Sequence, residues 1–136
     1  DEPAVVFAGW RTAIELHVLM ERADFGLLAY RSTPDFMASY PNKVGEYLSF
    51  GLPIMTGLKG VSKQLLEDRG LLLDYDSDDV ASIAAQLTRI ATGEASARQL
   101  SAEARATYDA MFNPAKVLPA FAGFLETLAS AKERTP

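Results

Sequence analysis

Four short apolar runs alternate with helix-compatible stretches through the first half of this chain: Ala4–Ala8 (AVVFA), Phe25–Tyr30 (FGLLAY), Leu52–Thr56 (LPIMT) and Leu71–Tyr75 (LLLDY). Strands separated by helices at this spacing signal a parallel, doubly wound α/β sheet with helices on both faces. Between the first two runs, Thr12 to Ala23 places Ile14, Val18, Leu19 and Ala23 on one helical face. A polar loop, Arg31–Tyr40, precedes a helix opened by Pro41 and closed by Gly51-Leu52-Pro53. Val61–Asp68 reads as a further short helix, after the glycine-punctuated turn Gly57–Gly60.

Residues 77–136 change character. Ser77 or Asp78 can cap a helix running to about Thr92, with Val80, Ile83, Ala84, Leu87 and Ile90 as its apolar stripe and Gly93 as its stop. Ser96–Phe112 reads as another helix. Asn113-Pro114 starts a last one through about Ala131, before a tail at Lys132–Pro136. The organisation expected is a partial Rossmann-like region, 1–76, followed by a helical extension of the same domain, 77–136.

The 136 residues carry a formal charge of −5, with pI near 4.8. No basic stripe is available to release counterions, which argues against a nucleic-acid surface. The absence of cysteine removes disulfides, thiolate zinc sites and cysteine nucleophiles. No apolar run reaches the roughly 18 residues of a membrane span. A cytoplasmic location is the default expectation, with membrane association left open for a longer protein. The chain starts at Asp1 and runs directly into a strand-like segment, so it reads as part of something longer.

The chemistry-bearing stretch is SYPNKVGEYLSFGLP, residues 39–53. Its helix is short, and Gly45 in the interior costs it about 1 kcal/mol. With Pro41 as first helical residue, the amides of Asn42, Lys43 and Val44 lack intrahelical partners and form a site for a phosphate or pyrophosphate, aided by the dipole and by Lys43. Glu46, one turn further, is placed to accept hydrogen bonds from a vicinal diol such as ribose. Gly45 fits if something packs closely there. The plainer alternative is a Pro-initiated connector helix with a solvated glutamate.

PNKVGEYLSFGLPI, preceded by VVFAGW and ELHVLMERADFGLLAY and followed by KGVSKQLLEDRGLLLDY, resembles the C-terminal, donor-binding half of a GT-B glycosyltransferase of the retaining, family-four type. The similarity spans residues 4 to 112, and NPAKVLPAFAGFLETL resembles that group's terminal helix. The resemblance implies a UDP- or GDP-sugar donor, no cofactor and no metal. It also implies an acceptor glycan or lipid-linked glycan brought by a separate N-terminal domain, in bacterial polysaccharide or glycoconjugate synthesis. It implies that Glu46 is the second glutamate of an E-x7-E motif holding the ribose, that Pro41, Asn42, Lys43 and Val44 lie beside the diphosphate, and that Gly9 and Trp10 lie along the base. The first glutamate of that motif is replaced by Ala38. Ser39 or Asp35 is the candidate substitute at the transferred sugar, whose identity, like the catalytic residue, stays open.

The family pattern places two further strand–helix units before this sequence. Without them Ala4–Ala8 is an edge strand next to an absent neighbour, and exposed apolar surface or self-association is expected around Val5–Phe7 and Phe25–Ala29. Asp74–Asp78 contains two Asp-x-Asp matches, which read as helix-capping acids rather than a manganese motif. His17 lacks a partner by spacing, Trp10 suits a base or a core anchor, and Arg31 is a solvated charge or a phosphate contact. The competing functions are a non-catalytic α/β interaction module, and a nucleotide-sugar epimerase of the same fold.

Overall fold

The helices that lead into the second and third strands of this protein each end on a glycine and deliver the chain straight into the strand. A computed structural model describes residues 5–133. In chain order the elements are α1 (Ala13–Arg22), β1 (Gly26–Leu28), α2 (Pro34–Met37), α3 (Asn42–Ser49), β2 (Ile54–Thr56), α4 (Val61–Asp68), β3 (Leu72–Asp74), α5 (Val80–Ala91), α6 (Ala97–Met111) and α7 (Pro114–Glu133). The strands form a parallel sheet in the order β1-β2-β3, in register Gly26↔Ile54↔Leu72. The fold is therefore α/β, as the alternation predicts.

At the end of α3, Gly51 adopts φ +75° and donates to Leu48 O, while Leu52 N donates to Tyr47 O. At the end of α4, Gly70 at φ +64° donates to Glu67 O, and Leu71 N donates to Leu66 O. Both are paired C-terminal closures that need a left-handed residue, which glycine adopts without a Cβ clash. Strands β2 and β3 follow within a few residues.

One sheet face carries the main core. Leu28, Ile54 and the half-buried Leu72 pack there with Val44 and Leu48 of α3, Leu66 of α4 and Ala104 of α6. On the opposite face Met55 and Leu73 are covered by Ile90 of α5 and by Ala95. Leu27 shares that second face through its pairing with Met55, yet is 52% exposed. The cover stops short of β1. Thr56, fully buried, donates to Leu28 O at 2.7 Å and accepts from Leu58 N at 3.0 Å, so its hydroxyl is satisfied within the core.

The strand expected at Ala4–Ala8 does not form over residues 5–8, and Ala4 lies outside the described residues. A strand needs a neighbour to receive its N–H and C=O groups, and among the described residues none stands beside this segment. Val5, Val6 and Phe7 are exposed, Phe7 at 95%. The apolar face of α1 is likewise uncovered. Its ends are well made, with a reciprocal Thr12–Glu15 capping box, but it buries no side chain. The tail expected from Lys132 instead continues α7 to Glu133, and residues 134–136 lie outside the described residues.

Two further differences have local causes. The loop Arg31–Tyr40 contains the one-turn α2, because Pro34 supplies a preset φ at its first position. The cap of α5 is Asp79, which accepts from Ala81 N at 2.9 Å, rather than Ser77 or Asp78. Its stripe is also rotated: Val80 is 81% exposed and Leu87 is exposed, whereas Ile83 and Ile90 are half-buried. Polar anchors set this rotation. Gln86 donates to Asp74 O at 2.7 Å, and Ser82 Oγ accepts from Asp76 N at 2.9 Å.

Gly26 lets α3 sit on β1. A Cβ there would lie 2.4 Å from the Tyr47 ring, whose hydroxyl donates to Leu27 O at 3.1 Å. Gly26→Ala is expected to cost about 1–3 kcal/mol by overpacking, read as a lower urea midpoint with unchanged m-value.

Candidate functional site

In a parallel sheet each crossover helix runs back against its strand, so its N-terminus returns to the strands' carboxyl ends, where open α/β sheets bind ligands. Two cavities occupy this edge. One lies at the start of α3, holds about 250 Å³, and is lined by Tyr40, Pro41, Asn42, Gly45, Glu46 and, from α6, Tyr108 with Phe112. The other, of about 850 Å³, opens across the three strand ends between Arg31, Lys59 and Asp74–Asp78. A groove between α2 and α4 shares Tyr40 with the first and Lys63 with the second.

Pro41 is the N-cap of α3, not its first helical residue, and no side chain caps the helix. Val44 N donates to Pro41 O at 2.8 Å, so its amide is already used, and its side chain is fully buried under the core. Among the described residues the amides of Asn42 and Lys43 have no hydrogen-bond acceptor. The free donor pair at this N-terminus is thus Asn42 and Lys43, one residue shorter than the spacing predicts.

Lys43 is committed to Glu46, one turn on, by an ion pair through Glu46 Oε2. That hydrogen bond raises the Lys43 ammonium pKa above its ordinary value. The other carboxylate oxygen, Oε1, has no donor among the described residues. Glu46 is half-exposed, and its neighbour Gly45 faces Phe112, whose ring would lie 3.4 Å from an added Cβ. Phe112 of the α6 end thus covers Gly45 at ordinary contact distance, which an alanine would also fit. The helix is held at its other end too: Arg105 of α6 donates to Ser49 O at 3.1 Å and Phe50 O at 2.9 Å.

The remaining predicted positions lie apart. Trp10 is 97% exposed, and nothing lies within 4 Å of a Cβ built on Gly9, so neither lines these cavities. Ser39 Oγ donates to Asp35 O at 2.8 Å and Ser39 O accepts from Ser62 Oγ at 2.9 Å, which ties the α2–α3 loop to α4. Ala38 lines the α2–α4 groove. Asp35 has its carboxyl held below the usual range by a hydrogen bond from the Thr33 side chain. His17 rests its ring edge on Phe50 and reaches Glu21 at 3.2 Å.

Sequence reading did not find Tyr40, Tyr108 and Phe112 as walls of the α3 cavity. The helical stripe of 96–112 announces an apolar face without naming its target. Tyr40 meets Phe112 edge to face at 5.8 Å. No group of three or more His, Cys, Asp or Glu residues able to hold a metal occurs among the described residues. Among those residues, too, no helix is long and apolar enough to cross a membrane. Compared with protein-family models, curated proteins and solved structures, the chain finds no match.

Two predictions follow from this geometry. Gly45→Ala removes a helix penalty of about 1 kcal/mol and places a methyl in ordinary contact with Phe112, so it raises the thermal midpoint. The second concerns alkaline pH. Tyr47 is raised by burial, Lys43 by its bond to Glu46 and Lys63 by its bond to Asp74. All three hold their protons more tightly folded than unfolded. Their contribution is complete below about pH 10, the unfolded range, and is lost as pH rises through the folded values. Urea midpoints measured between pH 8 and 11 should fall at the alkaline end, and fall less in Tyr47→Phe.

Proposed function

We propose that this chain is the nucleotide-sugar donor-binding part of a retaining glycosyltransferase of GT-B type, acting in bacterial polysaccharide or glycoconjugate assembly. One observation carries the reading: the N-terminus of α3 leaves the Asn42 and Lys43 amides free at the strand-end edge, with the Glu46 carboxylate one turn further on the same cavity. A diphosphate at those amides meets the positive end of the helix. Ribose hydroxyls donate to Glu46, whose Lys43 partner orients the carboxylate through Oε2. Tyr40, Tyr108 and Phe112 supply an apolar flank.

During transfer, negative charge grows on the departing nucleoside diphosphate. Amides already aimed at it stabilise that charge without reorganising. The consecutive order β1-β2-β3 agrees with the second half of a doubly wound sheet. The acceptor and the catalytic group come from elsewhere in this reading, so the chain alone binds donor without turnover.

Titration with UDP and with GDP tests it. A saturable response of the Asn42–Tyr47 amides is expected, and Glu46→Gln should weaken it at least tenfold. No response there from either nucleotide rejects the reading. A second reading, a non-catalytic interaction module, draws on the apolar stripe of α7, where Leu118, Phe121, Leu125 and Leu128 are all exposed. In that case Glu46→Ala leaves partner binding intact.

A further inference from the structure

Four charged side chains, two of each sign, line the strand-end cleft without pairing. Arg31 leaves β1, Lys59 leaves β2, and Asp76 with Asp78 leave β3, and all four are exposed on one cavity. Among the described residues none of the four forms an ion pair. Pairing is available in the same cleft, because Lys63 binds Asp74 at 2.6 Å. The other four charges stay solvated around a cavity of about 850 Å³, a volume within the range of small-molecule sites.

The walls are set before any ligand arrives. Lys59 N donates to Ser32 Oγ at 3.0 Å, which joins the loops after β1 and β2. Asp78 N donates to Asp76 Oδ1 at 3.0 Å, and Asp76 N donates to Ser82 Oγ. Gly57 brings the loops after β2 and β3 together, since a Cβ there would lie 2.3 Å from Ser77 Oγ. These bonds fix the backbone while leaving the guanidinium, the ammonium and carboxylate oxygens facing the cavity.

We propose that this cleft is a binding site for a phosphorylated sugar. Its phosphate lies between Arg31, whose planar fork suits two phosphate oxygens, and Lys59. Its hydroxyls donate to the Asp76 and Asp78 carboxylates. A simple anion meets repulsion from the two acids, and a simple cation meets repulsion from the two bases. A molecule with a phosphate at one end and hydroxyls at the other satisfies both walls. The site shares no lining residue with the α3 cavity, so it goes beyond the nucleotide reading and stands independently of it.

The test is a backbone-amide NMR titration with glucose 1-phosphate, inorganic phosphate and glucose as separate probes. Glucose 1-phosphate should give saturable shifts at Gly57–Lys59 and Tyr75–Asp78, with higher affinity than either fragment. The double variant Arg31→Gln, Lys59→Gln should weaken both phosphate probes at least tenfold. Asp76→Asn with Asp78→Asn should weaken glucose 1-phosphate while leaving inorganic phosphate unchanged or tighter. All four side chains are exposed, so the variants keep the wild-type spectrum elsewhere and loss of binding is read on a folded protein. The proposal is overturned by no saturable shift in these loops, by an unaltered response in the Arg31, Lys59 variant, or by shifts confined to Asn42–Glu46. Shifts from UDP at Asn42–Tyr47 report on the nucleotide reading alone.

Discussion

The strand-end edge depends on the seating of α3, a helix of eight residues with an interior glycine and no side-chain cap. Such a helix does not persist in water. It is held by three contacts from distant parts of the chain. Tyr47 lies on Gly26 of β1, Phe112 lies over Gly45, and Arg105 takes the last carbonyls of the helix. Val44 and Leu48 complete the seat by entering the core at zero exposure. Because the helix is anchored along its length and at its C-terminus, its N-terminus can be left unsatisfied at the edge where a ligand would use it. Helix α6 is therefore part of the site's foundation although it lies more than fifty residues downstream.

A second consequence concerns which surfaces the fold closes. One face of the sheet is covered by α3, α4 and α6, and the other only over β2 and β3. Leu27 is left half-open, and the apolar residues of segment 5–7, of α1 and of α7 face outward. Local capping can make a helix well formed without giving it a partner, as the Thr12–Glu15 box of α1 illustrates. The core is complete around α3 and the cleft, and thins toward both ends of the described chain.

Helix and strand positions were largely legible because their signals are local. Val61–Asp68 matches the reading residue for residue, and the Asn42 helix ends at Gly51 as its closing Gly-Leu-Pro predicts. The errors arose where a local pattern needed a distant partner. Residues 5–8 are strand-forming but have no adjacent strand among the described residues. The stripe of α5 is rotated by the hydrogen bonds that Gln86 donates to Asp74 O and that Ser82 Oγ accepts from Asp76 N, which periodicity does not encode. The α3 motif was visible in the sequence, whereas its aromatic walls, Tyr108 and Phe112, were not, since nothing in residues 96–112 says which helix they cover.

By itself the sequence determined the α/β alternation, the stops at Gly51 and Gly93, and the presence of free amides at Asn42 and Lys43 followed by the Glu46 carboxylate. These are properties of residues within a few positions of each other, set by backbone sterics and by the hydrogen bonds of a single turn. Only the tertiary structure decided that Val44 is buried and that Phe112 lies over Gly45. It alone also decided that Arg31, Lys59, Asp76 and Asp78 share one cavity. Parallel pairing is the reason: its in-register ladder brings the carboxyl ends of all three strands to one edge, and with them charges that stand as much as 47 positions apart in the chain.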